Sequence, residues 1–177
     1  CTACRYFEYK KKIDWKKREE ELLKLLDRFR SKDATYDCVV PSSGGKDSAY
    51  VAHELKTKYG MNPISVTWSP LQYTDIGFQN LQSYNDSGFD VIMGMPRGDM
   101  KRKMCREALI EMGDPFQGFI YGQVLFPVTV AINYGIRLIF RGENAEAEYG
   151  GNKDSWDKKY LSLEDFKKVY FSNYSLD

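Results

Sequence analysis

Apolar positions recur along this chain in two rhythms. Short branched or aromatic runs predict strands, and longer stretches with an apolar residue every third or fourth position predict helices. Residues 14–30 form the first helix, with Trp15, Leu22, Leu25, Leu26 and Phe29 largely on one face and Lys, Arg and Glu elsewhere. Residues 36–41 read as a buried strand, followed by a helix over 49–59 that turns Val51, Ala52 and Leu55 inward. The stretch 58–63 is a stop, and 64–68 is a second strand that Ser69-Pro70 ends. A helix over 75–87 places Ile76, Leu81 and Tyr84 inward, weakened by Gly77. Gly88 then turns the chain into a third strand that closes at Met93.

Arg97-Gly98-Asp99 opens a helix with Met100, Met104, Ala108 and Met112 at every fourth position, an expected inward face. Asp114-Pro115-Phe116 interrupts it. A second packing helix over 121–134 carries Val124, Val128 and Ile132, and Pro127 is expected to shorten or kink it. Residues 136–140 are the fourth strand, and 162–172 a last helix packing through Leu163, Phe166, Val169 and Tyr170. Strand and helix alternate from residue 36 with no internal repeat. The expected fold is therefore α/β, an open parallel sheet covered by helices.

Composition narrows the classes. The 177 residues suit one domain of moderate size, and 42% hydrophobic content supplies a core. No apolar run is long enough for a membrane span, and no signal-peptide pattern is present. A formal charge of +1 argues against a large nucleic-acid surface. The basic run Lys10-Lys11-Lys12 and Lys16-Lys17-Arg18 is balanced by Glu19-Glu20-Glu21, as on a solvated helix face. Four cysteines do not make a secreted disulfide framework, and the expected location is cytoplasmic. Cys38 and Cys105 lie in apolar surroundings and read as core residues. Cys1-x-x-Cys4 is half of a zinc site whose other ligands are expected before residue 1; a functionless pair and a redox pair are the alternatives. A redox pair calls for a helix starting at its first cysteine after a strand. The chain opens without Met and is expected to be a portion of something longer.

The chemistry concentrates in Ser42-Ser43-Gly44-Gly45-Lys46-Asp47-Ser48, between the first strand and its helix. A strand turning through glycines into a helix points several backbone N–H groups outward at the positive helix end, where phosphate binds. Lys46 adds a mobile charge, Ser43 and Ser48 offer hydroxyls, and Asp47 can orient magnesium. The common phosphate loop needs four residues between its first glycine and the Gly-Lys pair, and nothing before Gly44 supplies that glycine. A capped Gly-rich turn is the alternative. A second cluster follows the fourth strand: Arg141-Gly142-Glu143-Asn144-Ala145-Glu146-Ala147-Glu148-Tyr149-Gly150-Gly151. Strand C-terminal ends face the ligand crevice of an open sheet. This loop is suited to hold magnesium, orient a sugar or polarise an amine, with a solvated connector as the alternative.

Residues 43–48 resemble the signature Ser-Gly-Gly-x-Asp-Ser of the PP-loop ATP pyrophosphatases, matching every fixed position. That resemblance implies an adenine nucleotide alpha hydrolase-like fold and cleavage of ATP between its alpha and beta phosphates. Three further stretches accompany it, of which the second and third together narrow it: Cys1-x-x-Cys4 before a basic helix; Thr67-Trp68-Ser69-Pro70 leading to Tyr73-Thr74-Asp75-Ile76-Gly77; and Gly142-Glu143-Asn144 with Glu148-Tyr149-Gly150-Gly151. Together they resemble the N-acetyl sugar amidotransferases of bacterial surface polysaccharide biosynthesis, over residues 1 to about 151.

The family resemblance implies conversion of an acetamido sugar, expected to be nucleotide-linked, into an acetamidino sugar. It implies ATP, magnesium and a structural zinc in the intact protein, with a glutaminase and a cyclase-like ammonia-channel subunit as partners. Ser43, Gly44, Gly45, Lys46, Asp47, Ser48, Thr67, Trp68 and Gly142 are the expected nucleotide contacts, with Lys46, Asp47 and Glu143 as catalytic residues. Tyr73, Asp75, Asn144, Glu146 and Glu148 are the expected substrate contacts, Cys1 and Cys4 the partial zinc ligands, and Asp47 the magnesium ligand. The expected organisation is a zinc-ribbon-like segment over 1–13, a helix and linker over 14–35, a PP-loop ATP-binding domain over 36–151, and a tail with one helix over 152–177. Another PP-loop enzyme, such as an RNA thiolase or amide ligase, and a non-catalytic nucleotide-binding subunit are the competing readings. A thiolase needs a reactive cysteine near the nucleotide, and Cys105 sits on a Met-rich packing helix.

Overall fold

A computed structural model describes residues 1–33, 35–143, 153, 156–158, 162 and 164. The chain divides into two compact units, Trp15–Glu143 and a second made of Cys1–Asp14 and Asn144–Asp177. The larger unit is a small α/β fold. Its sheet runs β1 (Cys38–Pro41), β2 (Pro63–Trp68), β3 (Val91–Gly94), all parallel and in that spatial order. On the free side of β1 the expected fourth strand reduces to one parallel bridge, Val39 with Ile139. Two backbone hydrogen bonds make it: Val39 N to Leu138 O and Phe140 N to Val39 O, each 2.9 Å.

Side chains leave a strand alternately to its two faces, and both faces here are covered. Cys38 and Val40 pack with Leu26 of α2 (Trp15–Phe29), Ala52 and Leu55 of α3 (Lys46–Thr57), and Tyr84 of α4 (Asp75–Asp86). Val39, Ile64 and Val66 pack on the opposite face with Val130 and Ala131 of α6 (Gln117–Asn133). Near-continuous apolar strands are what a doubly covered parallel sheet demands. Ser65 of β2 is fully buried on the α4 side, where its hydroxyl bonds the Tyr84 hydroxyl.

Several inward-face expectations are corrected. In α6 the buried residues are Val124, Pro127, Val130 and Ala131, while Ile132 is 72% exposed. A stripe drawn at every fourth residue drifts by about 40° per step against the 3.6-residue turn, so eight residues carry Ile132 well off the face of Val124. The methionine stripe of α5 (Gly98–Met112) drifts likewise; Met100 and Met104 are exposed, and the helix buries no residue fully. Helix α6 starts four residues earlier than expected and continues through Pro127. Trp15, Leu25 and Ile76 are exposed, so α2 joins the core through Leu22 and Leu26 and α4 through Leu81 and Tyr84. Gly77 helps α4 start, donating its amide to the Thr74 hydroxyl cap at 3.0 Å.

In the smaller unit, α1 (Thr2–Lys10) is a helix where a zinc-ribbon-like segment was expected, and it buries Tyr6 against Tyr9 and Trp156. The expected helix over 162–172 lies outside the described residues, except for its positions 162 and 164. Among the described residues no single helix is long and apolar enough to cross a membrane.

Candidate functional site

The 42–48 turn lies at the C-terminal end of β1 and leads directly into α3. Its first residue is tied on three sides. The Ser42 amide donates to Val66 O at 3.0 Å, its carbonyl accepts from the Thr67 hydroxyl, and its hydroxyl lies 3.1 Å from that of Ser48. Burial raises the Tyr84 hydroxyl pKa, and hydrogen bonds with Ser65 and Ser42 oppose that shift. The start of the turn is thus fixed by β2 and by Ser48 of α3.

Gly44 turns the chain at φ +80°, a conformation that L side chains rarely adopt. A Cβ there would stand 2.9 Å from the backbone nitrogen of Leu81 in α4, so the position needs glycine on two grounds. Gly45 is the N-cap of α3 and offers no side-chain cap to the first helical amides. Those amides have no intrahelical partner. A phosphate oxygen is the complementary acceptor for such an end.

The charged residues stand at the surface of this turn. Lys46 is 87% exposed along its side chain, and its ammonium pairs with both Asp47 oxygens at 2.7 and 2.8 Å. Both groups are within one side-chain reach of the uncapped helix end. Ser48 also donates to Gly45 O at 3.2 Å. Ser43 is exposed.

The segment after Ile139 comes back over the same place. A Cβ on Gly142 would lie 2.6 Å from Ser48 N and 2.8 Å from Asp47 C, so the chain passes directly across the first turn of α3. The two stretches singled out by sequence, 42–48 and 142–143, therefore meet. Glu143 follows Gly142 and is exposed. Asn144, Glu146 and Glu148 lie outside the described residues.

The other expected contacts lie on β2 and at the entry to α4. Thr67 is buried, and its hydroxyl is committed to Ser42 O, leaving it a structural tie through its side chain. The Trp68 ring packs on α6: a Cβ on Gly122 would fall 2.0 Å from its Nε1, and Phe126 lies 5.3 Å away centroid to centroid. Tyr73 meets Phe78 edge-on, and its hydroxyl is buried with no hydrogen-bond partner among the described residues. Burial raises its pKa. Asp75 opens α4 and is exposed.

Lys101 was not foreseen. It reaches from the first turn of α5 to Ser69 Oγ at 3.0 Å and Pro70 O at 2.8 Å. Its sequence context, one cation among several on a helix, gives no signal of that.

Cys38 is buried, as expected for a core residue, and burial with nearby Asp37 pushes its thiol pKa up to about 12. Cys105 is only half-buried on α5. Cys1 is the N-cap of α1, and its sulfur lies 3.4 Å from that of Cys4. They border a cavity of about 470 Å³ with Arg5, Lys12, Lys153 and Trp156. Two thiolates on one tetrahedral zinc stand about 3.8 Å apart for Zn–S bonds near 2.3 Å, so the pair fits two corners. Among the described residues no three His, Cys, Asp or Glu side chains converge, and the other corners are not supplied there. A single carboxylate such as Asp47 suits magnesium only when phosphate oxygens complete the shell. No protein-family model and no curated protein matches the chain.

Proposed function

We propose that this chain is an ATP-dependent amidotransferase of PP-loop type, forming AMP and pyrophosphate and converting the acetamido group of an N-acetyl sugar into an acetamidino group. The observation that carries the reading is the meeting of the 42–48 turn, the uncapped start of α3 and Gly142 at one end of a parallel sheet. In this reading the amides of the turn and Lys46 hold the pyrophosphate part of ATP and stabilise its charge as it leaves. Asp47 holds magnesium, which screens the phosphate charge. Cys1 and Cys4 belong to a structural zinc site in the intact protein.

An amide carbonyl is a poor electrophile because its oxygen would have to depart as hydroxide. Attack of that oxygen on the alpha phosphate transfers AMP to it and releases pyrophosphate. Ammonia then adds to the activated carbon, and AMP leaves with the oxygen. Glu143, beside the turn, is the group proposed to take a proton from the attacking amine. Ammonium in neutral water has no lone pair to attack with, which favours supply by a glutaminase through a cyclase-like channel subunit. A cytoplasmic location follows from the need for ATP.

The test is turnover of ATP and magnesium with ammonium at alkaline pH and a panel of nucleotide-linked N-acetyl sugars. The expected products are AMP, pyrophosphate and a sugar whose mass has changed by exchange of O for NH. Lys46→Met should lower the rate by about 10²–10³-fold, as loss of one charge-stabilising donor does, without moving the melting temperature. Orthophosphate with ADP overturns the reaction. AMP and pyrophosphate with a different acceptor points to another PP-loop enzyme, and ATP binding without turnover to a binding subunit.

A further inference from the structure

The half-buried ammonium of Lys101 has only neutral oxygens as its hydrogen-bond acceptors, Ser69 Oγ and Pro70 O, and no carboxylate pairs with it among the described residues. Ordering a lysine side chain costs rotamer freedom. A lysine serving only solubility would stay in water. What this one grips is the end of β2: Ser69 is buried and its amide donates to Gly94 O of β3 at 2.9 Å. The ammonium thus fastens α5 to the point where the chain leaves the sheet towards Tyr73 and the Thr74 cap of α4.

That point adjoins the turn. Thr67 of β2 bonds Ser42 O, and Ser42 meets Ser48, so hydrogen bonds run from the end of β2 into the start of α3. Adjacent strands lie about 4.8 Å apart, and a nucleotide whose phosphates sit over the β1–α3 junction extends its ribose and base by more than that. The neighbouring end of β2 is the next surface on that side of β1, and the 69–74 connection leaving it carries the Tyr73 hydroxyl, buried and without a hydrogen-bond partner among the described residues.

We propose that Lys101 is a positioning residue of the nucleotide site: through Ser69 and Pro70 it holds the 69–74 connection against the ribose and base, while the 42–48 turn takes the pyrophosphate. The inference rests on the nucleotide reading above. It makes the two halves of ATP separable by mutation.

Calorimetric titration of the full chain with ATP, AMP and pyrophosphate tests it, using Lys101→Met, Lys101→Arg, Ser69→Ala and Lys46→Met. A lost hydrogen bond from a charged group corresponds to about tenfold or more in affinity. Lys101→Met should therefore weaken AMP and ATP about tenfold and leave pyrophosphate unchanged, with Lys101→Arg restoring most of the loss. Ser69→Ala removes one of the two acceptors and should weaken AMP by a smaller factor. Lys46→Met should do the reverse, weakening ATP and pyrophosphate but not AMP. A general loss of packing would not produce that split. Unchanged AMP affinity in Lys101→Met, or equal loss of all three ligands, overturns the proposal while leaving the nucleotide reading intact. If Lys101→Met fails to fold, unchanged AMP affinity in Ser69→Ala overturns it instead. A parent chain that binds neither ATP nor AMP overturns both.

Discussion

Helices α3 and α5 look alike in the sequence and are used differently. Each follows a strand and carries an apolar stripe. Helix α3 packs on β1 and β2 and buries Ala52 and Leu55, whereas α5 packs on α6 and buries nothing fully. The difference lies in what each stripe meets. Val51, Ala52 and Leu55 follow the 3.6-residue turn and meet the sheet, while methionines at every fourth position wind around α5. Met104 lies against Gly118 of α6, where a Cβ would come 3.1 Å from its own. A stripe shows that side chains align; only a surface opposite it makes a core.

Truncating the α3 stripe gives the largest expected effect. Leu55 is 3% exposed and lies in the cluster with Cys38 and Val40. Leu55→Ala should lower unfolding stability by about 2–5 kcal/mol, the range for a buried leucine that leaves a cavity. Urea denaturation with unchanged slope checks it. A loss below about 1 kcal/mol would mean that α3 is no better packed than α5.

A smaller contrast is chemical, between Cys38 beneath α3 and Cys105 on α5. Burial raises the folded Cys38 pKa to about 12 from an ordinary value of 9.0. The folded state therefore keeps a proton that the unfolded state releases, so this contribution is complete below pH 9 and declines as pH rises towards 12. The slope approaches about 1.4 kcal/mol per pH unit inside that window. Tyr84, whose pKa is also raised, acts in the same direction. Comparing urea midpoints at pH 8 and pH 10 for the parent and Cys38→Ala should show a flatter fall in the variant. In the native chain at pH 8, a thiol reagent should label Cys105 well before Cys38; equal rates would remove the contrast.

What was legible follows from how local each cause is. The strand–turn–helix at 38–57 is written in neighbouring residues: a branched apolar run, two glycines, then a helical stripe. The parallel sheet followed from the alternation of strands and helices. The meeting of Gly142 with the start of α3 was legible only as an expectation about strand ends, because 94 residues separate Gly142 from Ser48 in the chain. The place of the Trp68 ring was not legible: the tight approach of Gly122 draws it to α6, and no local spacing encodes that. Lys101 was invisible because its acceptors come from a different element. The helix at Thr2–Lys10 was missed because its polar residues and the cysteines at its N-cap and third position hide a short apolar face led by Tyr6.

The smallest effect belongs to the outer face of α5. Leu109 is 53% exposed and belongs to neither buried core cluster. Alanine is at least as good a helix former as leucine, so Leu109→Ala removes little packing and leaves the backbone preference intact. The expected change is within about 0.5 kcal/mol, as for surface substitutions generally. Urea denaturation run beside Leu55→Ala makes the pair a direct measure of what the sheet adds to a helical stripe. A loss at Leu109 above about 1.5 kcal/mol would mean that something covers this face in solution, since only a buried leucine costs that much to truncate. The two helices would then differ in what covers them, not in whether they are covered.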